Sequence, residues 1–382
     1  MNEQFRIAHK LGLMFRPETP LPDDVKAWAI SQLQAKSPAL GISRLGTKVK
    51  PWPQSLQPDL MARDTMFANW FQRQRLGDAS NASNAERSAN RKENLMKEKD
   101  ELKFSHRNIY GKDQVRLRFT AFWANHFTTG NIHDNQNHIG HAIDEAILAN
   151  LNGDFSHMLY KMTSHPSMLI YLDNIFSAGP NSREVKRAKR NGEQAGLNDN
   201  LGRELLELHT VSPSAKYSED DIRNAAKVLA GWGVFPGMLW GNNKITLEQK
   251  HARLTEMAGT TNTWDFFKAN HAEPGTKTVM GKTISAGSYM ELKGGLRNLT
   301  DFLASHEHTI NHISFKLAQH FVSDSPSQSD IEYIANAWKG SNGSLDVIHS
   351  AVIERAISSK ESKLQWPMTW LFQVIRLSDA SF

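Results

Sequence analysis

The chain contains no cysteine. That absence removes disulfide frameworks, thiolate metal sites and cysteine nucleophiles together, and makes the fold indifferent to redox poise. Glycine and proline are scarce for 382 residues, at 24 and 14, which excludes collagen-like and low-complexity classes. No apolar run approaches the roughly 18–20 residues that span a bilayer, so no transmembrane helix is expected. The opening MNEQFRIAHKLG has no continuous apolar stretch and no small-residue cleavage site. It does not read as a signal peptide, and the expectation is a cytoplasmic protein. Gly-x-Gly-x-x-Gly, the P-loop, the Gly-x-Ser-x-Gly elbow and His-Glu-x-x-His are all missing, so nucleotide-fold and zincin readings lack support.

The formal charge is +5 and the sequence pI is near 9.2. Arg183, Lys186, Arg187, Lys189 and Arg190 against Glu184 place +4 of that excess in one short segment. A groove that tracks phosphates gathers basic residues from several elements and interleaves aromatics, and no aromatic lies between Ala178 and Ala195. The run reads as a solvated loop or helix face. No nucleic-acid partner is expected, and docking of an acidic partner is the alternative.

Hydrophobic periodicity predicts a mainly α fold: one large helical domain over 1–382 with a small β-hairpin or ribbon around 231–285. Residues 1–76 hold N-terminal helices with a Pro-bounded break at Arg16–Pro22. The second helix opens on Asp23 and Asp24, acids placed to meet its dipole. Residues 77–103 have only Leu95, Met96 and Leu102 as large apolar residues and read as an exposed charged helix. Central helices follow over 104–230, including one from His138 to Leu151, and C-terminal helices fill 286–382. Phe119, Phe122, Trp123 and His126 fall on one stripe at i, i+3, i+4 and i+7. Ser218 with Asp221 makes a capping box.

The densest polar constellation is Asn198-Asp-Asn-Leu-Gly-Arg-Glu-Leu-Leu-Glu-Leu-His-Thr210. On a helix, Asn200, Arg203, Glu204 and Glu207 share one edge beside an apolar stripe of Leu201, Leu205 and Leu208. Glu204 and Glu207 are candidate divalent-metal ligands or an acid/base pair, because close carboxylates offer oxygen ligands and split their pKa values. The plainer account is an Arg203–Glu207 ion pair with Glu204 bonded to a neighbouring element. His209 points away from this edge and joins it only if the helix unwinds near Thr210. His126 reads as a core histidine held through one ring nitrogen, or as a ligand or general base. His271 and Glu273, at i and i+2 of a strand, share a face and form either a site or a hydrogen-bonded turn. His138, His141 and Glu145, and the pair His308 and His312, read as polar outer faces.

Phe122-Trp-Ala-Asn-His126-Phe, His165-Pro-Ser-Met-Leu-Ile-Tyr-Leu-Asp-Asn174 and the Arg203-Glu-Leu-Leu-Glu-Leu-His-Thr210 run occur in that order. Tyr217-Ser-Glu-Asp-Asp-Ile222, Ala230-Gly-Trp232, His271…Lys277…Gly281 and Lys316-Leu-Ala-Gln-His-Phe-Val-Ser-Asp324 follow. The series resembles a widespread bacterial family known as domain of unknown function eighteen hundred, from about Ala8 to Arg376. The resemblance implies export and a sulfatase-like protein as partner, which sets a periplasmic or exported location against the cytoplasmic one. It names no reaction. This chain departs from the family pattern at Asp199, at Val211-Ser212-Pro213 where a Gly follows the His-Thr in relatives, at Glu273, and at Leu148 and Asn150. If those positions carry function in relatives, this member is altered there. Two readings follow. One is an enzyme with a pocket between 118–126, 200–210 and 270–277, in which Arg203 binds an anionic group and metal-assisted hydrolysis or oxidation is the chemistry. The other is a binding or assembly protein in which the same residues form a buried polar network.

Overall fold

Helix-period patterning along the chain becomes a set of mostly short helices packed around one internal helix. The computed structural model describes residues 3–17, 19–34, 49–64, 66, 98–130, 137–234, 249, 252, 264, 266–284 and 289–380. Helices α1 (Glu3–Leu11) and α2 (Val25–Leu33) precede a helical stretch over 98–110 and then α3 (Gln114–His126). The middle of the chain forms α4 (Phe155–Ser164), α5 (Pro166–Tyr171), α6 (Arg183–Asn191), α7 (Asn200–Glu207) and α8 (Glu219–Leu229). An antiparallel hairpin, β1 (Lys277–Val279) and β2 (Lys282–Ile284), leads to α9 (Tyr289–Ser305) and α10 (Glu307–Phe321). The chain closes with α11 (Gln328–Gly340), α12 (Leu345–Ser358) and α13 (Pro367–Leu377). The fold is mainly α, as the periodicity predicts. Among the described residues no helix is long and apolar enough to cross a membrane.

Local signals start the helices. Asp24 accepts from the amides of Lys26 and Ala27 at the head of α2. Ser218 with Asp221, and Ser327 with Asp330, form complete capping boxes on α8 and α11. Pro166 and Pro367 occupy first-turn positions of α5 and α13, where the missing amide hydrogen costs nothing.

Helix α3 is the axis of the core. Phe119, Phe122, Trp123 and His126 are buried as their spacing predicts, and so are Arg116, Leu117 and Arg118 around the other side. The Trp123 indole donates to His349 Nε2 on α12 at 3.0 Å. The principal apolar cluster runs in sequence from Ile7 to Ala356. Helices α7 and α8 cross closely at Gly202, where a Cβ would meet the Ala226 amide and the Ile222 carbonyl at 2.8 Å each.

The small β-hairpin expected around 231–285 is present, among the described residues, as a three-pair hairpin with a single bridge between Trp232 and Phe267; residues 235–248 and 253–263 lie outside the described set. Val279 and Ile284 seat the hairpin against the core, and Met280 and Gly281 turn it with φ of 47° and 77°. Most of the charged helix expected over 77–103 lies outside the described residues, and the described helical stretch runs on to 110, where Asn108, Ile109 and Tyr110 are buried. The helix expected from His138 to Leu151 is one α-turn (Ile139–His141), a wide i→i+5 stretch (Ala142–Ile147) and a tight turn (Leu148–Asn150). Arg116, fixed on α3, takes the Leu148 carbonyl at 2.7 Å where that segment tightens.

Basic side chains, buried except for the half-buried Arg6, close the helix ends. Arg116 holds the Leu33 carbonyl that ends α2, while Arg6 and Lys10 hold the Ile357 and Ser359 carbonyls that end α12. Arg376 donates to the carbonyls of Met14, Asn108, Ile109 and Gly111, at 2.8 to 3.2 Å. Replacing Arg376 by Leu strands the Met14, Asn108 and Gly111 carbonyls in the interior, while Ile109 keeps Arg16. The expected loss is about 3 kcal/mol or more, read as a lower urea midpoint with an unchanged slope; a midpoint equal to that of the unmodified protein contradicts this assignment.

Candidate functional site

The Arg203-to-Thr210 run shapes the site by the way its helix ends. Beyond Glu207 the chain turns inward: the amides of Leu208 and His209 both reach the Glu204 carbonyl at 3.0 Å. Thr210 Oγ1 closes on the Leu205 carbonyl at 2.6 Å, and the Ser212 amide on the Leu206 carbonyl at 2.9 Å. The helix unwinds before Thr210, and His209 is buried beside α3.

There His126 and His209 meet. His126 Nε2 lies 3.1 Å from the His209 carbonyl, and the two rings are 6.2 Å apart. On its other side, His126 Nδ1 lies 2.9 Å from Lys316 Nζ on α10. A carbonyl only accepts, so Nε2 carries the imidazole hydrogen and Nδ1 offers its lone pair to the lysine. Burial, then the charge of Lys316, pushes the His126 pKa well below its ordinary value, and the ring is neutral. Burial likewise lowers the Lys316 pKa, which brings its free amine form closer to neutral pH.

The couple sits on the wall of a cleft of about 500 Å³ that Asn125, Gln319, His320 and Trp366 also line. Lys363, paired with Asp324, closes one end. Behind His320 lies Arg118, 1 % exposed, with one Nη 3.4 Å from His320 Nε2. A guanidinium only donates, so His320 carries its hydrogen on Nδ1. Arg118 Nε and its other Nη find no hydrogen-bond partner among the described residues, and burial lowers its pKa to about 9. Arg118, Lys316 and Lys363 against Asp324 leave the cleft electropositive.

Two rows build this arrangement. Arg118, Phe122 and His126 follow one another at i, i+4, i+8 on α3, and His312, Lys316 and His320 do the same on α10. Sequence reasoning singled out His126 alone of the first row. The four-residue spacing of His312, Lys316 and His320 is the signal that finds the second, and Lys316 and His320, quoted only within the Lys316–Asp324 run, are the cleft residues it did not single out.

The remaining expected site residues lie elsewhere. Arg203 is partly exposed and turns to Glu219 on α8 at 2.8 Å, not to Glu207, so the buried Arg203–Glu207 network is replaced by a surface pair. Glu204 and Glu207 are both half-buried; partial burial and the Glu207 charge raise the Glu204 pKa. His271 joins the 177–184 loop, where its carbonyl accepts from Gly179 at 2.8 Å. Burial lowers its ring pKa to about 4. Glu273 holds the same loop through the Asn181 amide at 2.8 Å and side chain at 2.6 Å. Of the three segments expected to share a pocket, 118–126 and 200–210 meet through the His126–His209 bond, and only the first of them lines the cleft. Among the described residues no three His, Asp or Glu side chains are placed to share a metal ion, so Glu204, Glu207, His209 and His271 do not assemble as a ligand set.

The expected polar outer faces are also corrected. His138 is fully buried against Asp64 at 2.8 Å. His165 Nδ1 caps the Ser167 amide, so its Nε2 hydrogen points to His141 Nδ1, 3.1 Å away. His308 and His312 are half-buried. The basic run 183–190 is an exposed helix face, as expected, with Ala188 its buried residue.

The family model described as protein of unknown function (DUF1800) matches residues 16–381. The chain belongs to this family. No curated protein and no solved structure matches it. In this family member Leu148 and Asn150 end the wide segment, Asn150 by capping the Glu145 and Ala146 carbonyls at 2.9 and 3.0 Å. Ser212 stands at φ 61°, ψ 165°, a region that only glycine occupies without strain.

Two outcomes follow from this geometry. Ser212→Gly is expected to stabilise the protein by about 1–2 kcal/mol by relieving that backbone, measured as a raised urea midpoint; a lowered midpoint contradicts it. His126, His141, His165, His209, His320 and His349 all have pKa values lowered by burial. Below pH 6.5 the unfolded chain therefore binds protons that the folded chain refuses. Stability is full above that pH and falls as the pH drops, by on the order of 1.4 kcal/mol per pH unit for each histidine. Against a typical total of about 5–15 kcal/mol, Tm followed by circular dichroism is expected to collapse between about pH 6 and 5. A Tm level down to pH 5 contradicts it.

Proposed function

We propose that the protein is an enzyme in which Lys316 and His126 form a nucleophile–base couple acting on a small carbonyl compound with an anionic group. The observation that carries this reading is the 2.9 Å contact of Lys316 Nζ with His126 Nδ1 at the cleft wall, with the ring fixed by the His209 carbonyl. A nucleophile in hydrogen-bond reach of a base, itself oriented by a third group, is the arrangement that activates weak nucleophiles. As Nζ bonds to the carbonyl carbon, one amine proton passes by way of His126 Nδ1 to the carbonyl oxygen and gives a carbinolamine. The second amine proton follows the same route to that hydroxyl, which leaves as water, and the product is an imine. His320, Lys363 and the buried Arg118 charge favour the anionic group.

Other lysines are less suited. Lys10, Lys268 and Lys277 have pKa values lowered to about 8, but each amine is aimed at a backbone carbonyl. Family resemblance supports a sulfatase-like protein as working partner, and with it action in the cell envelope.

A structural reading draws on the His126–His209 bond, which ties α3 to the end of α7. The probe that separates the two is glyoxylate at neutral pH followed by sodium borohydride, with peptide mapping by mass spectrometry. The expected result is labelling concentrated on Lys316 and lost in Lys316→Met, with Tm within about 2 °C of the unmodified protein. Label spread over exposed lysines, together with a Tm several degrees lower in Lys316→Met, transfers the residues to the structural reading; spread label with an unchanged Tm overturns both.

A further inference from the structure

Helix α13 is turned inside out. Its inward residues are Thr369, Gln373 and Arg376 with the apolar side chain of Phe372, and Ile375 packs half-buried beside it. Its outward residues are apolar: Trp370 is 57 % exposed, Leu371 49 %, Val374 38 % and Leu377 41 %. Met368 and Leu364, at 59 % and 78 %, extend the face toward the N-terminal side. A surface helix normally buries such a stripe.

The spacing of the stripe matches one kind of cover. Trp370 or Leu371, Val374 and Leu377 step by three and four residues, the seam along which a helix receives another helix. The only charged residue of α13, Arg376, is buried. A helix that lies on a membrane carries Lys and Arg along its polar flank, and α13 has none exposed. An uncharged apolar stripe is complementary to itself, the requirement of a two-fold interface. Weighted by their exposures, these side chains leave on the order of 700 Å² open, close to the roughly 800 Å² per partner of a standard-size interface.

We infer that α13 is a homodimer interface, in which the outward stripe of one copy packs on that of a second copy. The face adjoins the cleft, since Leu364 and Trp366 also form part of the cleft wall; the inference itself does not depend on the reaction proposed there.

The cysteine-free chain makes a clean test. Leu371→Cys and, as a control at an exposed position far along the sequence, Ser329→Cys each introduce a lone thiol. Sedimentation of the unmodified protein at micromolar concentration is expected to give a dimer, and air oxidation is expected to cross-link Leu371→Cys but not Ser329→Cys. Leu371→Glu is expected to sediment as a monomer with an unchanged far-ultraviolet circular dichroism spectrum. A monomeric unmodified protein overturns the inference, and so does a dimer that survives Leu371→Glu. A monomer that floats with phosphatidylcholine vesicles, and loses this in Leu371→Glu, reassigns the face to a lipid surface.

Discussion

A helix leaves its last carbonyls without partners, and a fold of many short helices multiplies such ends inside the protein. This chain closes them with buried or half-buried cations. Arg116, Arg6, Lys10 and Arg376 each reach carbonyls of elements remote in sequence. Each bond satisfies an acceptor, opposes the negative end of a helix dipole and pins two elements together. With no disulfide available, these long-range contacts are the cross-links of the fold.

The candidate site applies the same device with a different side chain. The His209 carbonyl, exposed by the unwinding of α7, is met by an imidazole hydrogen from His126. That bond fixes the tautomer, and the tautomer decides that Nδ1 faces Lys316 as an acceptor. Positive charge then accumulates, because carbonyls satisfy buried cations without neutralising them. Arg118 shows the result: it has contacts to the Lys10 carbonyl and His320 but, among the described residues, to no carboxylate. A cleft backed by such groups is suited to an anion.

The helical pattern was legible because apolar period and capping chemistry are local. The stripe on α3 and the Ser218–Asp221 box both stand where spacing places them. The site was half legible. His126 and His209 could be chosen from their motifs, but Arg203, Glu204 and Glu207 form one edge of a helix that faces solvent in part. A carboxylate pair on a helical wheel looks the same whether its edge meets a cleft or water. Lys316 and His320 were hidden for the converse reason: a lysine is ordinarily a surface residue, and only packing against α3 turns this one inward.

Helix α13 shows how the carbonyl constraint reaches the surface. Its period is readable, yet period alone does not say which side is inside. Gln373 and Arg376 are drawn inward because the carbonyls of His9, Gly12, Met14 and Asn108 lie beneath them. Each orphaned carbonyl costs about 1–3 kcal/mol, comparable to the gain from burying one Leu or Val, so the six carbonyls that Gln373 and Arg376 reach balance the apolar stripe on the other side of the helix. The apolar side of α13 is thereby forced outward, and its burial is left to a second copy of the chain.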